Sequence, residues 1–222
     1  TTEIYTLSLH DALPITPGVV TYGYLSDAAI AANSDVQFYA DDISDHRAYS
    51  AAELAQVEYA ISKLADVANL TFVRVTGADG VYVDNDSQVD MALMAENSTN
   101  GGWAVTYRNS FTGTITGSLV NIGEAGLENE NSYAFLTAMH EVGHAVGLAH
   151  PGDYNGSAAT TYEAQAEYFE DSRQFSMMSY WSERETGASY GGGNFANSVL
   201  LHDIAALQRL YGANTTDRKS VV

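Results

Sequence analysis

The chain of 222 residues contains no cysteine. Disulfides and thiolate ligands are therefore excluded, and any metal site must be built from His, Asp, Glu or Tyr. Basic residues are scarce too: nine Lys and Arg stand against 28 Asp and Glu, for a formal net charge of -19. Nucleic acids and anionic membranes are recognised by basic patches, so neither is expected as a partner. The acidic residues are dispersed through loops such as "DDISDH" and "GLENENS", which reads as a solvated surface, with bound calcium the lesser option. No apolar run approaches the roughly 20 residues that cross a bilayer, and there is no internal repeat.

What is present suffices for one well-packed domain, with 45% hydrophobic and 11% aromatic residues. The two ends read differently from the rest. "TTEIYTLSLHDALPI" carries His10 and Asp11 in a stretch too short for a signal-peptide core. Reverse translation of it spells a common short-read sequencing adapter as far as Ile15, and the tail "DRKSVV" spells the complementary adapter strand. Residues 1–15 and 217–222 are thus expected to be translated adapter, and 16–216 the domain.

"VVTYGYL" (19–25) alternates apolar and polar residues and predicts a strand. Residues 26–49 read as a long polar connection. Ser50 and Glu53 form a capping box, opening a helix with an apolar stripe at Leu54, Val57, Ile61, Leu64 and Ala68. Strand composition follows in "LTFVRV" (70–75), "VDMALMA" (89–95), "GGWAVTYRN" (101–109) and "GTITGSLVNIG" (113–123). Helix signals return from Asn131 to Gly147, and residues 152–199 hold little regular pattern. A final helix, "VLLHDIAALQRLYG", is expected to pack through Leu201, Ile204, Leu207, Leu210 and Tyr211 and to stop at Gly212.

"HEVGHAVGLAHP" (140–151) holds three of the chain's six histidines. His140 and His144 lie four apart on a helix and face the same way. Glu141, beside the first, can reach a water on a shared ion, the H-E-x-x-H arrangement. Gly147 can take the left-handed conformation that ends a helix; His150 then returns to the ion, and Pro151 cannot extend the helix. Three neutral imidazoles hold zinc and leave a fourth position open, as in catalytic sites. A lone H-x-x-x-H is most often a surface or satisfied core pair. The extended motif, however, arises by chance on the order of 10⁻⁵ times per chain of this composition, and the metal reading prevails. His46, among acidic loop residues, is expected to be solvated and His202 structural, while His10 belongs to the adapter. Taken alone, "FSMMSYW" (175–181) would be core filler at Met177 and Met178 and an ordinary half-buried Tyr180.

Together these residues give the chain a resemblance to the metzincin metalloproteases, and among them to the serralysins, secreted bacterial zinc proteases. It is carried by "HEVGHAVGLAHPGDY" (140–154), "DSRQFSMMSYW" (171–181) and "LLHDIAALQRLYGAN" (200–214), and covers roughly residues 18–214. The extended histidine motif followed by a Met-turn is specific to metzincins; the Tyr two residues after the Met separates serralysins from matrixins. The resemblance implies an α+β, metzincin-like zincin fold: a twisted mixed β-sheet with two long helices, and an irregular C-terminal subdomain ending in a helix. It implies His140, His144 and His150 as zinc ligands, Tyr180 as a further ligand of the resting site, Glu141 as catalytic base, and Met178 as the Met-turn residue packing beneath the metal. Tyr180 also acquires a catalytic role, donating a hydrogen bond to the developing oxyanion. "WAVTY" (103–107) becomes an edge strand above a cleft, where Trp103, Ala104, Val105 and Thr106 would pair with an extended substrate.

The resemblance further implies a zinc-dependent endopeptidase that hydrolyses protein or peptide substrates by metal-activated water, exported by a type I route to the extracellular medium and acting as a monomer. Serralysins continue past "YGAN" into a calcium-binding β-roll and a secretion signal, and begin with a short propeptide. None of these is in the sequence, so Ca2+ is implied for the full-length parent rather than for this stretch. Two rival readings stand beside it. One is a matrixin-like protease, against which Tyr180 and the final helix argue. The other is a non-catalytic zinc-binding adhesion or scaffold domain, which would have no need of Glu141.

Overall fold

The apolar run "MALMAE" forms strand β4 (Met91–Glu96), the middle of a six-stranded sheet. Met91, Leu93 and Ala95 join one hydrophobic cluster, and Ala92 and Met94 the other. Alternate side chains of a strand point to opposite faces. A strand covered on both sides therefore reads as continuously apolar instead of alternating. The computed structural model describes residues 18–39, 45–97, 101–123, 127–156 and 160–215; both expected adapter segments lie outside these ranges.

β1 (Val19–Tyr24) lies parallel to β4 on one side and to β3 (Thr71–Arg74) on the other. β6 (Ile115–Gly123) flanks β4 in parallel, and β5 (Gly102–Arg108) runs antiparallel to β6. A two-residue strand, β2 (His46–Arg47), pairs antiparallel with the end of β4. The order is β3-β1-β4-β6-β5, a mixed sheet in an α+β fold with β5 at its edge.

Between β1 and β2 the expected connection instead holds two six-residue helices, α1 (Asp27–Ala32) and α2 (Ser34–Tyr39). Ser26 caps α1 by accepting from the Ala29 amide at 3.1 Å, and Ile30 and Val36 seal the second face of the sheet. Helices this short show no apolar stripe and hold together through tertiary packing. His46 differs from expectation as well: it is half-buried in β2, its ring 6.2 Å from Trp103.

The other face is covered by α3 (Ala51–Val67) and α4 (Tyr133–Ala145). The capping box of α3 forms, with the Ser50 amide donating to Glu53 at 2.6 Å. Leu54, Val57, Ile61 and Leu64 enter the core, each worth about 1.5–3 kcal/mol of burial. α4 is capped by Ser132, one residue later than the first helix signal, and ends at Ala145, two before Gly147. Beyond it come a short α5 (Tyr162–Gln165), irregular chain and α6 (Leu201–Tyr211). In α6 the expected stripe holds at Leu207, which is buried, and at Ile204, Leu210 and Tyr211, which pack against the core; Leu201 departs from it at 63% exposed, while His202 and Asp203 are buried. Polar partners hold these last two inside. His202 contacts Glu170 at 2.9 Å, and Asp203 reaches the segment that supports the site below.

Candidate metal centre

α4 must end where its last histidine can still face the cleft, and its C-terminal carbonyls must find donors. Gly147 (φ 103°) closes it. Its amide donates to the His144 carbonyl at 3.0 Å and the Leu148 amide to the Gly143 carbonyl at 2.9 Å, the two bonds of a Schellman motif. Thr106 Oγ1 donates to the His144 carbonyl and Ser118 Oγ to that of Ala145, both at 3.2 Å. The Tyr211 hydroxyl donates to the Val146 carbonyl at 2.7 Å. Sheet, helix end and α6 are thus stitched together at this terminus, and the turn carries His150 back toward α4.

The Nε2 atoms of His140, His144 and His150 stand 3.0–3.2 Å from one another. Each ring's Nδ1 lies 2.9 Å from a backbone carbonyl, of Met177, Leu148 and Tyr154 respectively. A carbonyl can only accept, so every Nδ1 carries the proton and the three Nε2 lone pairs face one another. Burial first, then the neighbouring imidazoles, holds His140 well below the usual histidine range and His144 down at about 4; burial lowers His150 too. Three converging neutral lone pairs repel unless a cation lies between them. Nitrogens about 2.0–2.1 Å from a tetrahedral zinc stand roughly 3.3–3.4 Å apart, close to the observed spacing, so the donor set fits zinc. Among the described residues this trio is the one group of three or more His, Asp or Glu donors able to share an ion; no acidic calcium cluster accompanies it there.

Behind these rings lies a second layer, of which the sequence pointed only to Met178. Met178 packs under α4 between the two helical histidines: a Cβ on Gly143 would come within 2.8 Å of its Sδ. The Met177 amide donates to Asp203 at 2.8 Å, as do Ser176 Oγ at 2.7 Å and the Leu200 amide at 3.0 Å. Asp203 therefore anchors, from α6, the residue whose carbonyl orients His140. Burial pushes its carboxyl up to about 6, against the pull of these hydrogen bonds. Asp171, fully buried, accepts from the Tyr154 hydroxyl and from Ser179 Oγ, both at 2.7 Å. It ties the residue that orients His150 to the residue after Met178. A charged residue in the first turn of the last helix and an Asp ahead of "FSMMSYW" were the available signals, and neither has a spacing that declares its partner.

Glu141 is 6% exposed. Burial alone pushes its carboxyl up to about 8, and among the described residues it has no hydrogen-bond or ion-pair partner. It lines a cleft of about 620 Å³ with the three histidines, Tyr180 and β5 from Gly102 to Thr106. Trp103, Ala104, Val105 and Thr106 thus sit at the sheet edge beside the metal trio, half-buried and paired on one side only. Gly102 permits the close approach: a Cβ there would lie 2.7 Å from the Asn121 carbonyl oxygen and 2.9 Å from Glu141 Cγ. The Tyr180 ring is 4.5 Å from that of His150. Its hydroxyl accepts from the Gly156 amide at 3.3 Å and donates to Asn155 at 3.4 Å, and burial raises its pKa.

No protein-family profile matches the chain. Curated proteins do. Over 212 residues it is 36% identical to Serralysin C of Dickeya chrysanthemi, covering 90% of this chain and 40% of that protein. It is 36% identical over 213 residues to Metallopeptidase AprA of Pseudomonas marginalis, covering 90% of the chain and 41% of the relative. Identity to a serralysin of Proteus mirabilis is 38% over 164 residues, 69% of the chain and 33% of the relative. The chain spans about two-fifths of the length of the first two relatives.

Proposed function

The chain belongs to the serralysin family of metalloproteases, and from that premise we propose that it is the catalytic part of a secreted, zinc-dependent endopeptidase. His140, His144 and His150 would hold the metal, and Tyr180 would be a further ligand of the resting site, in a metzincin arrangement of sheet and helices. The observation that carries the proposal is Glu141: a buried carboxylate with no structural partner, lining the same cleft as three converging imidazoles. A scaffold that merely bound zinc would gain nothing from burying it, since a buried carboxyl without a hydrogen-bond partner is destabilising.

Zinc, when bound, supplies a Lewis acid that polarises the scissile carbonyl and brings the pKa of water down toward about 7. The substrate lies extended along β5, whose outer edge offers backbone groups from Trp103 to Thr106 for an added strand. Glu141 takes the proton of the attacking water and passes it to the departing amine, a double role that its place in the cleft beside the three imidazoles allows. Tyr180 remains a phenol and donates to the oxyanion developing on the scissile carbonyl. Met178, beneath α4, packs without reacting. Among the described residues no helix is long and apolar enough to cross a membrane; the reading of export rests on the family alone.

The test is casein hydrolysis by the chain with one equivalent of zinc, beside Glu141→Gln. We expect hydrolysis that a chelator abolishes and zinc restores, and a loss of about 10²–10⁴-fold or more in the variant with zinc still bound. A folded chain with stoichiometric zinc that leaves casein intact would overturn the reading in favour of a binding module.

A further inference from the structure

Beside Glu141 the cleft opens into a smaller pocket of about 100 Å³, walled by His140, Thr137, Tyr133, Ser179 and Arg173 among others. Arg173 is firmly built in. Its amide donates to the Trp181 carbonyl at 2.9 Å, and its own carbonyl accepts from the Tyr190 hydroxyl at 2.8 Å. Its guanidinium carbon lies 5.3 Å from the ring centre of Tyr133 and 5.6 Å from that of Phe195. Nη2 donates to the Tyr180 carbonyl at 2.5 Å and Nε to that of Ser179 at 3.4 Å. Arg47, Arg74 and Arg184 each contact a glutamate. Among the described residues no carboxylate pairs with Arg173, and Nη1 has no acceptor. The result is a preorganised donor on the wall of an otherwise small, mixed pocket.

We infer that Arg173 selects the substrate side chain on the amine side of the scissile bond, favouring one that ends in a carboxamide, Gln or Asn. This rests on the peptidase reading above. Glu141 returns the proton to the departing amine and lines both cleft and pocket, so the residue carrying that amine is the one whose side chain reaches the pocket. A carboxamide oxygen satisfies Nη1, which a hydrocarbon would cover without a partner. A full carboxylate would add charge to a chain that already holds 28 acidic residues against nine basic ones, which a neutral carboxamide does not.

Gln and Met are matched in length, so two peptides differing only in that residue isolate the acceptor. Their affinities are measured on the zinc-loaded Glu141→Gln chain, which leaves the peptides uncut. The Gln peptide should bind about tenfold more tightly, and adding Arg173→Met should bring the ratio to about one. A merely structural role for Arg173 would weaken both peptides alike and leave the ratio standing. Equal affinities on the Arg173-containing chain overturn the inference even where Arg173→Met fails to fold, and so does a ratio that survives that substitution. Casein hydrolysis by the parent chain is read separately. Absence of hydrolysis with the binding ratio intact would sink the peptidase reading and with it the assignment to the amine side, leaving Arg173 as a carboxamide-selective contact; hydrolysis with a ratio of one would sink the pocket assignment alone.

Discussion

Asp203→Ala is the perturbation that most directly tests how the metal centre is held. The carboxylate is 2% exposed and accepts from the Met177 and Leu200 amides and from Ser176 Oγ. Alanine leaves two buried backbone N–H groups without an acceptor, at about 1–3 kcal/mol each. Relief of the desolvated charge returns part of this, so the net cost is about 2–4 kcal/mol, a large share of a typical domain's stability. The same change frees the Met177 segment whose carbonyl receives His140 Nδ1–H at 2.9 Å. Partners of that kind are worth about 10–100-fold in metal affinity. Urea unfolding of the zinc-free chain reads the first effect, and chelator competition for zinc reads the second. Leu201→Ala, on the exposed side of α6, is the control and should stay within about 0.5 kcal/mol. An Asp203→Ala chain with an unchanged unfolding midpoint and zinc affinity within twofold of the parent would refute the reasoning.

Tyr180→Phe should keep zinc and lose about 10²–10³-fold in turnover with little change in KM; steady-state kinetics with unaltered kcat would remove Tyr180 from the mechanism. Gly102→Ala places a Cβ 2.7 Å from the Asn121 carbonyl oxygen and 2.9 Å from Glu141 Cγ. Backbone must shift, so thermal unfolding should register a cost of about 1–3 kcal/mol, with slower casein hydrolysis as Glu141 moves. Asp203 has its folded pKa raised to about 6 from 3.8, so its proton-linked contribution is fully present below the unfolded value and lost as pH rises through about 6. Asp203→Asn removes that linkage. The parent's stability advantage over the variant should shrink between pH 4 and pH 7 by up to about 3 kcal/mol, and urea midpoints showing it grow would contradict the assignment.

What the sequence determined by itself is local. Two histidines four apart, the glutamate between them, Gly147 at the helix end and His150 just beyond lie within eleven residues. Helical geometry and one left-handed turn suffice to bring them together. The apolar runs likewise announced the strands, and Ser50 with Glu53 announced α3, because capping and periodicity are short-range. The two small helices after β1 escaped notice for the converse reason: at six residues each, their only signal is what they pack against. So did the burial of Asp203 in α6, whose oxygens serve the Met177 segment while Leu201 stays exposed. The carbonyls that orient His144 and His150 are four residues away, but the support that reaches the trio from farther along the chain was decided by the tertiary structure. Met177 reaches His140 across 37 residues, and Asp203 reaches Met177 across 26. Asp171, Tyr154 and Ser179 meet only once the irregular chain has folded back. A hydrogen bond between residues so far apart leaves no period or spacing in the sequence, and only packing brings its two ends together.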